Sequence, residues 1–416
     1  MNHDLAAAVA TIRQGGIAVV VDDEDRENEG DLIMAAEAAT TDHLAFFLEH
    51  TSGVICASMT ADDLGRLDLP QMVATNEDRH RTAFTVSVDL VLGTTTGISA
   101  RDRALTLKAL ASERSRPADF VRPGHVFPLQ ARPLGVVERP GHTEAATDLA
   151  RLAGLAPVGV LSEVVSPDRR RMANGAELRK LARRHDLPVV SIAELITHRL
   201  RTETLVERLS SARIPTRYGT FTCHAFRSGL DGRVHLAYVM EPSGTPCAQP
   251  VIARVHSECF TGDVFGSTRC DCGAQLDESL RLVGQAGEGV VVYLRGHEGR
   301  GIGLVHKLEA YALQDAGLDT VDANLALGLP VDAREYGVAA QILRALDMTR
   351  VRLITNNPDK RDRLSELGID VVELVGTRSH VTADNLAYLE TKRRRMGHLV
   401  DEVGDDRGIA HGAGHR

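Results

Sequence analysis

Tryptophan is absent from this chain of 416 residues, and aromatic side chains make up only 4% of it. No apolar run approaches the roughly 20 residues that a helix needs to cross a bilayer. The first residues, Met1-Asn2-His3-Asp4, lack the basic segment and apolar stretch of a secretory signal. These absences argue against a secreted or membrane-bound protein, and we expect a cytoplasmic location.

An excess of positive charge is also lacking. The formal net charge of −9 argues against a nucleic-acid partner held by general phosphate attraction. Anionic ligands would therefore need local clusters of arginine, lysine and backbone N–H groups. Three of the six cysteines lie between Cys259 and Cys272, and in a reducing compartment this favours metal binding over disulfides.

The length exceeds what one ordinary hydrophobic core organises, which predicts two domains. Apolar runs alternate with helical patterns in both halves, which is typical of the α/β (α+β) class. We expect two different mixed α/β domains, 1–203 and 204–400, joined by the charged stretch His198–Arg213, and a disordered tail at 401–416. Strands are predicted at 17–21, 54–56, 84–88, 158–161, 234–240, 251–256, 289–294, 351–355 and 369–374, and helices at 4–14, 102–111, 144–152, 178–184 and 192–201.

An acidic run, Asp22–Asp31, directly follows the first predicted strand. A bare charge run is usually a solvated loop. A calcium loop starting at Asp25 would place Gly30 correctly, but Ala36 stands where the loop needs glutamate, so that interpretation fails. Arg26 within the run is a partner for phosphate or sugar oxygens and favours a binding site.

The sequence Arg-Pro-Gly-His occurs twice, at Arg122–His125 and Arg139–His142. A Pro-Gly turn can present a histidine without burying it. Together with the acidic run, these histidines form the ingredients of a metal and sugar-phosphate site.

The first half resembles 3,4-dihydroxy-2-butanone 4-phosphate synthase over about residues 1–200. The matching segments are Asp22–Asp31, Thr82–Ser87, Thr95–Ala100, Arg122–Leu129, Pro140–Ala145 and Leu161–Glu163. The resemblance implies conversion of ribulose 5-phosphate into a four-carbon phosphate and formate, with magnesium or manganese.

The resemblance also assigns roles to residues. Glu27 and His142 are the implied metal ligands, and His125 and Glu163 the implied catalytic acid/base groups. The implied contacts of ribulose 5-phosphate are Arg26, Glu27, Asp31, Arg139, Pro140, Gly141, His142, Thr143 and Glu163.

One segment departs from the family. Where the family usually carries Asp-Gly-Thr-Met-Ala-Arg, this chain has Pro167–Ala173 with three consecutive arginines. We interpret these arginines as a solvated loop rather than a phosphate clamp. The departure motivates an alternative in which the first half is only a scaffold.

In the second half, Cys259, Cys270 and Cys272 have spacings that can converge on one Zn²⁺. The alternative to a zinc site is three buried free thiols that bind no metal. Burial in an apolar core does not explain the neighbouring charged residues Arg269 and Asp271. A structural site closed by His256 as fourth ligand also remains open at this level.

This half resembles GTP cyclohydrolase II over about residues 205–400. The matching segments are Arg254–Cys259, Thr261–Asp263, Arg269–Gly273, Glu298–Leu304, Ala310–Gln314, Asp319–Asn324 and Thr355–Pro358. The resemblance implies zinc held by the three cysteines and water, and a second cation, magnesium or manganese, with GTP.

Further roles follow from this resemblance. Asp332 is the implied proton acceptor, Arg334 acts at the α-phosphate by its charge, and Tyr311 assists near the ring. The implied GTP contacts are Arg254, Val255, His256, Ser257, Glu258, Gln275, Glu298, Gly299, Arg300, Thr320, Thr355 and Lys360. We also predict that Glu298 reads the N–H edge of guanine.

The resulting hypothesis is a bifunctional riboflavin biosynthesis enzyme that forms a homodimer. Its competitor is a zinc-containing nucleic-acid-binding protein with Arg169–Arg171 and Arg183-Arg184 as a basic surface. The negative charge and the lack of paired metal knuckles disfavour that competitor.

Overall fold

The computed structural model describes residues 1–23, 26–242, 247, 249–332, 334–377 and 380–397. The chain divides into two compact units, Met1–Thr202 and Glu203–Arg416. Each contains one sheet covered by helices, which confirms the predicted fold class of two different mixed α/β domains. The predicted disordered tail lies outside the described residues. Among those that are described, no helix is both long and apolar enough to cross a bilayer.

The first unit alternates strands and helices along most of its length. Its strands are β1 Ala18–Val21, β2 Gly30–Ala35, β3 Cys56–Met59, β4 Val88–Leu90, β5 Phe120–Gln130, β6 Gly159–Glu163 and β7 Val189–Ser191. Its helices are α1 His3–Arg13, α2 Thr41–His50, α3 Ala61–Arg66, α4 Ala100–Ala111, α5 His142–Leu152, α6 Gly175–His185 and α7 Ile192–Thr202.

These strands form one mixed sheet in the order β4-β5-β3-β6-β2-β1-β7. Val19 and Leu32 point into a core on one face, and Val20 and Ile33 into a core on the other. This period of two buries both faces of β1 and β2, which explains why their sequences are almost continuously apolar. The polar groups that follow β1 are therefore anchored to a buried interior strand of the sheet.

The second unit begins with a long antiparallel hairpin and continues as alternating strands and helices. Its strands are β8 Val206–Thr216, β9 Gly219–Ser228, β10 Val234–Met240, β11 Val251–Ser257, β12 Gly289–Leu294, β13 Arg350–Ile354 and β14 Asp370–Val375. Its helices are α8 Phe260–Asp263, α9 Cys272–Ala286, α10 Leu304–Asp315, α11 Thr320–Ala326, α12 Gly337–Ala345, α13 Pro358–Glu366 and α14 Leu386–Met396.

The second sheet has the order β14-β13-β11-β12-β10-β9-β8. Its first four strands run parallel to one another, and the remaining three pair antiparallel. In a sheet of parallel strands, ligands bind beyond the carboxyl ends of the strands. Here the loops after β11, β12 and β13 lie at that edge.

Three local predictions were wrong. The second half of the charged stretch read as a linker belongs to β8, an edge strand paired along its length with β9. Of the strand predicted at 84–88, only Val88 belongs to a strand, while Phe84 and Thr85 form isolated bridges. The two Arg-Pro-Gly-His segments are not equivalent exposed turns. Arg122–His125 lies inside β5, and His142 is the buried first residue of α5.

Candidate active sites

The first candidate site lies where β1 ends and β2 begins. Asp22 follows β1 directly, and Asp31, the second residue of β2, is paired in the ladder with Glu163 at the end of β6. His142 reaches the same edge from the start of α5. The sheet thus brings together the acidic run and a histidine more than 100 positions away.

Asp22, Glu27 and His142 offer ligand atoms that all lie within 4.8 Å of one another. Nδ1 of His142 is 3.7 Å from Glu27 Oε2 and 4.0 Å from Asp31 Oδ1. The other ring nitrogen of His142 and Oδ1 of Asp31 are buried without a hydrogen-bond partner in the described structure. Such unsatisfied atoms, with two carboxylates, fit a hard divalent cation.

The pKa values of Glu27, Asp31 and His142 are all shifted, that of Glu27 downward and the other two upward. The polar contact with His142 lowers the pKa of Glu27 to about 2, against the opposing effect of burial. Burial raises the pKa of Asp31 to about 7. For His142, burial acts downward, but the charge of Asp31 and the contact with Glu27 raise its pKa to about 9. Glu27 is therefore ionised near neutral pH.

Arg26 and Arg139 occupy different positions around this cluster. NH1 of Arg26 donates to Asp22 Oδ2 at 3.0 Å and to Glu27 Oε2 at 2.7 Å. NH1 of Arg139 donates instead to Glu144 Oε2 at 2.6 Å, and Gly141 packs against that pair. The predicted substrate contacts Pro140 and Thr143 lie on the same loop and helix start.

His125 is not brought into this cluster within the described part of the chain. Its Nδ1 lies 2.7 Å from Asp89 Oδ2, and its backbone N–H donates to Asp89 Oδ1 at 2.9 Å. Glu163 is held separately by Ser52, whose hydroxyl donates to Oε2 at 2.8 Å. Neither Asp89 nor Ser52 stands in a recognisable motif, so their roles were not predictable from the sequence.

The arginines of the departing loop have structural partners. Arg169 donates to the carbonyl oxygens of Glu49 and Thr51 at the end of α2. Arg171 forms a two-pronged pair with Glu177 at 2.8 Å. All three arginines are exposed, in agreement with a solvated loop, and two of them also fasten the loop to neighbouring helices.

The second candidate site is a cavity at the carboxyl edge of the parallel strands. Cys259 follows β11, Cys270 lies in a loop, and Cys272 begins α9. Their sulfur atoms lie within 4.8 Å of one another, with Cys259 and Cys270 3.7 Å apart. A Cβ on Gly262 would lie 2.9 Å from the Cys270 sulfur and 3.1 Å from that of Cys259. Only glycine therefore leaves the sulfur cluster open, and three converging thiols fit zinc.

Lys307 is buried against this sulfur cluster. Its ammonium donates to Cys259 Sγ at 3.1 Å, to Thr261 Oγ1 at 2.8 Å, and to Glu298. Burial acts to lower the pKa of Lys307, but the Cys259 thiolate and Glu298 outweigh it and raise that pKa. Hydrogen bonds from Cys270 and Cys272 lower the pKa of the Cys259 thiol.

Glu298 does not line the cavity. One carboxylate oxygen accepts from Lys307 and the other from the backbone N–H of Phe260 at 2.6 Å. Both oxygens already accept from protein groups, and the contact of Glu298 with the guanine N–H edge stays a prediction. Glu258, in contrast, lies on the cavity lining.

His256 is directed away from the sulfur cluster by a carboxylate. Its Nε2 lies 3.1 Å from both oxygens of Asp263, which also accepts from Tyr293 and from the Cys259 backbone N–H. Its Nδ1 is buried without a hydrogen-bond partner in the described structure. The three-cysteine group that the structure assembles does not include His256, which disfavours a closed four-ligand site.

Asp332 and Arg334 form a tight pair. Nε of Arg334 donates to Asp332 at 2.9 Å, and NH2 donates to the other oxygen. Burial alone would lower the pKa of Arg334, but the hydrogen bond with Asp332 raises it. A guanidinium held protonated in this way can act through its charge and is unsuited to nucleophilic attack.

The cavity is strongly cationic. Most of the predicted GTP contacts line it, although Val255 and Glu298 do not, and neither does Asp332. Within the described part of the chain its one acidic lining residue is Glu258. The cationic lining residues are Arg254, Arg269, Arg300, Lys307, Arg334, Lys360 and Lys392. Such a lining attracts a polyanionic ligand.

Comparisons with known proteins agree with this division. Residues 6–198 match the family model of 3,4-dihydroxy-2-butanone 4-phosphate synthase, and residues 207–376 match that of GTP cyclohydrolase II. The first match does not favour the alternative in which the first half is only a scaffold.

Relatives match along nearly the whole chain. The riboflavin biosynthesis protein RibBA of Nocardia farcinica is 56% identical over 400 residues, which are 96% of both proteins. A chloroplastic bifunctional riboflavin biosynthesis protein of Arabidopsis thaliana is 57% identical over 394 residues, 94% of this chain and 72% of that protein.

A solved structure is also similar. The two-domain 3,4-dihydroxy-2-butanone 4-phosphate synthase RibBX of A. baumannii is 32% identical, with a TM-score of 0.68, and the match covers 90% of this chain and 99% of that one. The chain belongs to the family of bifunctional riboflavin biosynthesis enzymes, with a 3,4-dihydroxy-2-butanone 4-phosphate synthase followed by a GTP cyclohydrolase II.

Proposed function

We propose that residues 1–203 convert D-ribulose 5-phosphate into 3,4-dihydroxy-2-butanone 4-phosphate and formate. We further propose that residues 204–400 hydrolyse GTP to 2,5-diamino-6-ribosylamino-pyrimidinone 5′-phosphate, formate and pyrophosphate. The observation that carries the second assignment is the single cavity that combines three converging cysteines with seven cationic side chains. A triphosphate fits that charge, and the cysteines provide a hydrolytic metal site.

In the first half, Glu27 and His142, with Asp22 added by the geometry, would hold magnesium or manganese. When bound, such a cation stabilises negative charge that develops on sugar oxygens during enolisation. Glu163, oriented by Ser52, is suited to transfer protons at the same sheet edge. His125, oriented by Asp89, would be the other acid/base group.

In the second half, Cys259, Cys270 and Cys272 would hold one zinc ion. When bound, zinc lowers the pKa of a water ligand and supplies the hydrolytic nucleophile. Arg334 and Lys360 offset the charge of departing pyrophosphate, and Asp332 accepts a proton. Tyr311 lines the cavity beside Arg269 and Lys307 and would assist near the reacting ring.

We also propose that the protein forms a homodimer, that it is cytoplasmic, and that magnesium or manganese binds together with GTP.

The proposal is tested by incubating the full chain separately with GTP and with ribulose 5-phosphate and assaying formate in each. Both reactions are expected to release it. Formate from only one substrate would contradict the assignment of the other half.

A further inference from the structure

The C-terminal helix α14 lies beyond the segment that matches the GTP cyclohydrolase II model. That match ends at residue 376, whereas α14 spans Leu386–Met396. Nevertheless, Tyr388 and Lys392 of this helix line the nucleotide cavity. A segment that follows the end of the family-model match therefore forms part of the cavity wall.

Tyr388 supports a cation that faces the cavity. The guanidinium carbon of Arg300 lies 5.8 Å from the centroid of the Tyr388 ring, within the range of a cation–π contact. Both terminal nitrogens of Arg300 are buried without a hydrogen-bond partner in the described structure. The ring thus holds a guanidinium whose donors are left for a ligand.

Lys392 begins a chain of hydrogen bonds that ends at a second cavity arginine. Its ammonium, itself buried, donates to Asp271 Oδ1 at 2.8 Å. The other oxygen of Asp271 accepts from Gln275 at 2.6 Å, and the amide oxygen of Gln275 accepts from Arg254 at 2.7 Å. Nε of Arg254 is buried and unpartnered among the described atoms.

A third contact ties α14 to another part of the lining. NH1 of Arg395 donates to Asp319 at 2.5 Å and to Asp322 at 2.9 Å. Asp319 is the N-cap of α11, whose first residue, Thr320, lines the cavity. The helix is therefore fastened to two different elements that contribute to the cavity lining, α9 and α11.

We propose that α14 completes the nucleotide site, with Tyr388 and Lys392 as positioning residues for Arg300 and Arg254. This inference rests on the proposed function, because it takes GTP as the ligand of the cavity. Tyr388 acts through the face of its ring, and Lys392 acts through Asp271 and Gln275. Neither role requires the tyrosine hydroxyl.

The test compares steady-state GTP kinetics of full-length Tyr388→Leu, Tyr388→Phe and Lys392→Met with the wild type. Arg394→Met, an exposed position on the same helix, is the matched control. Zinc content and formate release from ribulose 5-phosphate are measured on the same preparations and are expected to be unchanged. Zinc content reports on the integrity of the cyclohydrolase unit in every variant, and the ribulose 5-phosphate reaction reports on that of the synthase unit.

Tyr388→Leu is expected to raise KM for GTP between about threefold and thirtyfold, the range of a cation–π contact. Lys392→Met is expected to raise KM by about tenfold or more, because a buried charge-assisted hydrogen bond is lost. Tyr388→Phe and Arg394→Met should behave like the wild type. The turnover number should change less than KM, since the reacting groups are untouched.

Unchanged KM in both Tyr388→Leu and Lys392→Met, with normal wild-type turnover, would overturn the inference alone. An equal defect in Tyr388→Phe and Tyr388→Leu would also overturn it, because the ring face would not be the functional part. A wild type that releases no formate from GTP would contradict the proposed function and this inference with it.

Discussion

At the scale of single residues, the functional groups that can be predicted from the sequence are those inside dense local motifs. Glu27 and His142 converge in the first unit and the three cysteines converge in the second, and each of these residues belongs to a short, polar segment near a strand end or helix start. Their partners were not predictable. Asp89 precedes His125 by 36 positions, and Lys307 follows Cys259 by 48. Only the folded chain juxtaposes such pairs.

Glu27→Gln is expected to abolish formate release from ribulose 5-phosphate, because it removes a charged oxygen from the metal cluster. His142→Ala should do the same, at some cost in stability, because His142 is buried. Glu113→Gln, on an exposed turn, is the matched control. Retained synthase activity in Glu27→Gln would mean that the metal is held elsewhere.

Cys270→Ser is expected to lose the single zinc that metal analysis should find per chain. His256→Ala should keep the zinc while raising KM for GTP, because His256 lines the cavity and its Nδ1 has no hydrogen-bond partner in the described structure. Loss of zinc from His256→Ala would instead support a four-ligand site and contradict the proposed chemistry.

At the scale of elements, strands and helices were predictable where apolar periodicity was strong, as in β10 and β12, whose predicted and observed bounds coincide. The failures have physical causes. β8 is an edge strand with mostly exposed side chains. Charged side chains on an edge strand protect it from aggregation, and they give it the same sequence pattern as a linker. The two Arg-Pro-Gly-His segments differ because tertiary pairing with β3 and β4 extends the first into a strand.

Gly262 in α8 gives a prediction at this scale. Gly262→Ala should weaken zinc binding and cyclohydrolase activity, because the added methyl would contact two of the sulfur atoms. Gly376→Ala is the control, since its methyl would meet its nearest neighbour at an ordinary 3.6 Å. Zinc affinity is measured by competition with a chromophoric chelator. Equal zinc affinity in the two variants would show that the cysteine cluster shifts to accommodate the added methyl group, and would contradict the prediction.

At the scale of the whole molecule, the central claim is that one chain carries two independent active sites. All groups assigned to the first reaction lie between Asp22 and Glu163, within the first compact unit. All groups assigned to the second lie between Arg254 and Lys360, apart from the positioning residues of α14, within the second unit. Substitutions at separated sites without shared partners normally have additive effects.

The most direct test measures formate release from both substrates by the wild type, Cys272→Ser, His125→Ala and the double variant. Cys272→Ser should abolish release from GTP and leave the ribulose 5-phosphate reaction nearly intact. His125→Ala should do the reverse, and the double variant should lack both activities. If Cys272→Ser slowed the ribulose 5-phosphate reaction tenfold, a coupling of about 1.4 kcal/mol would join the halves, and independence would be contradicted.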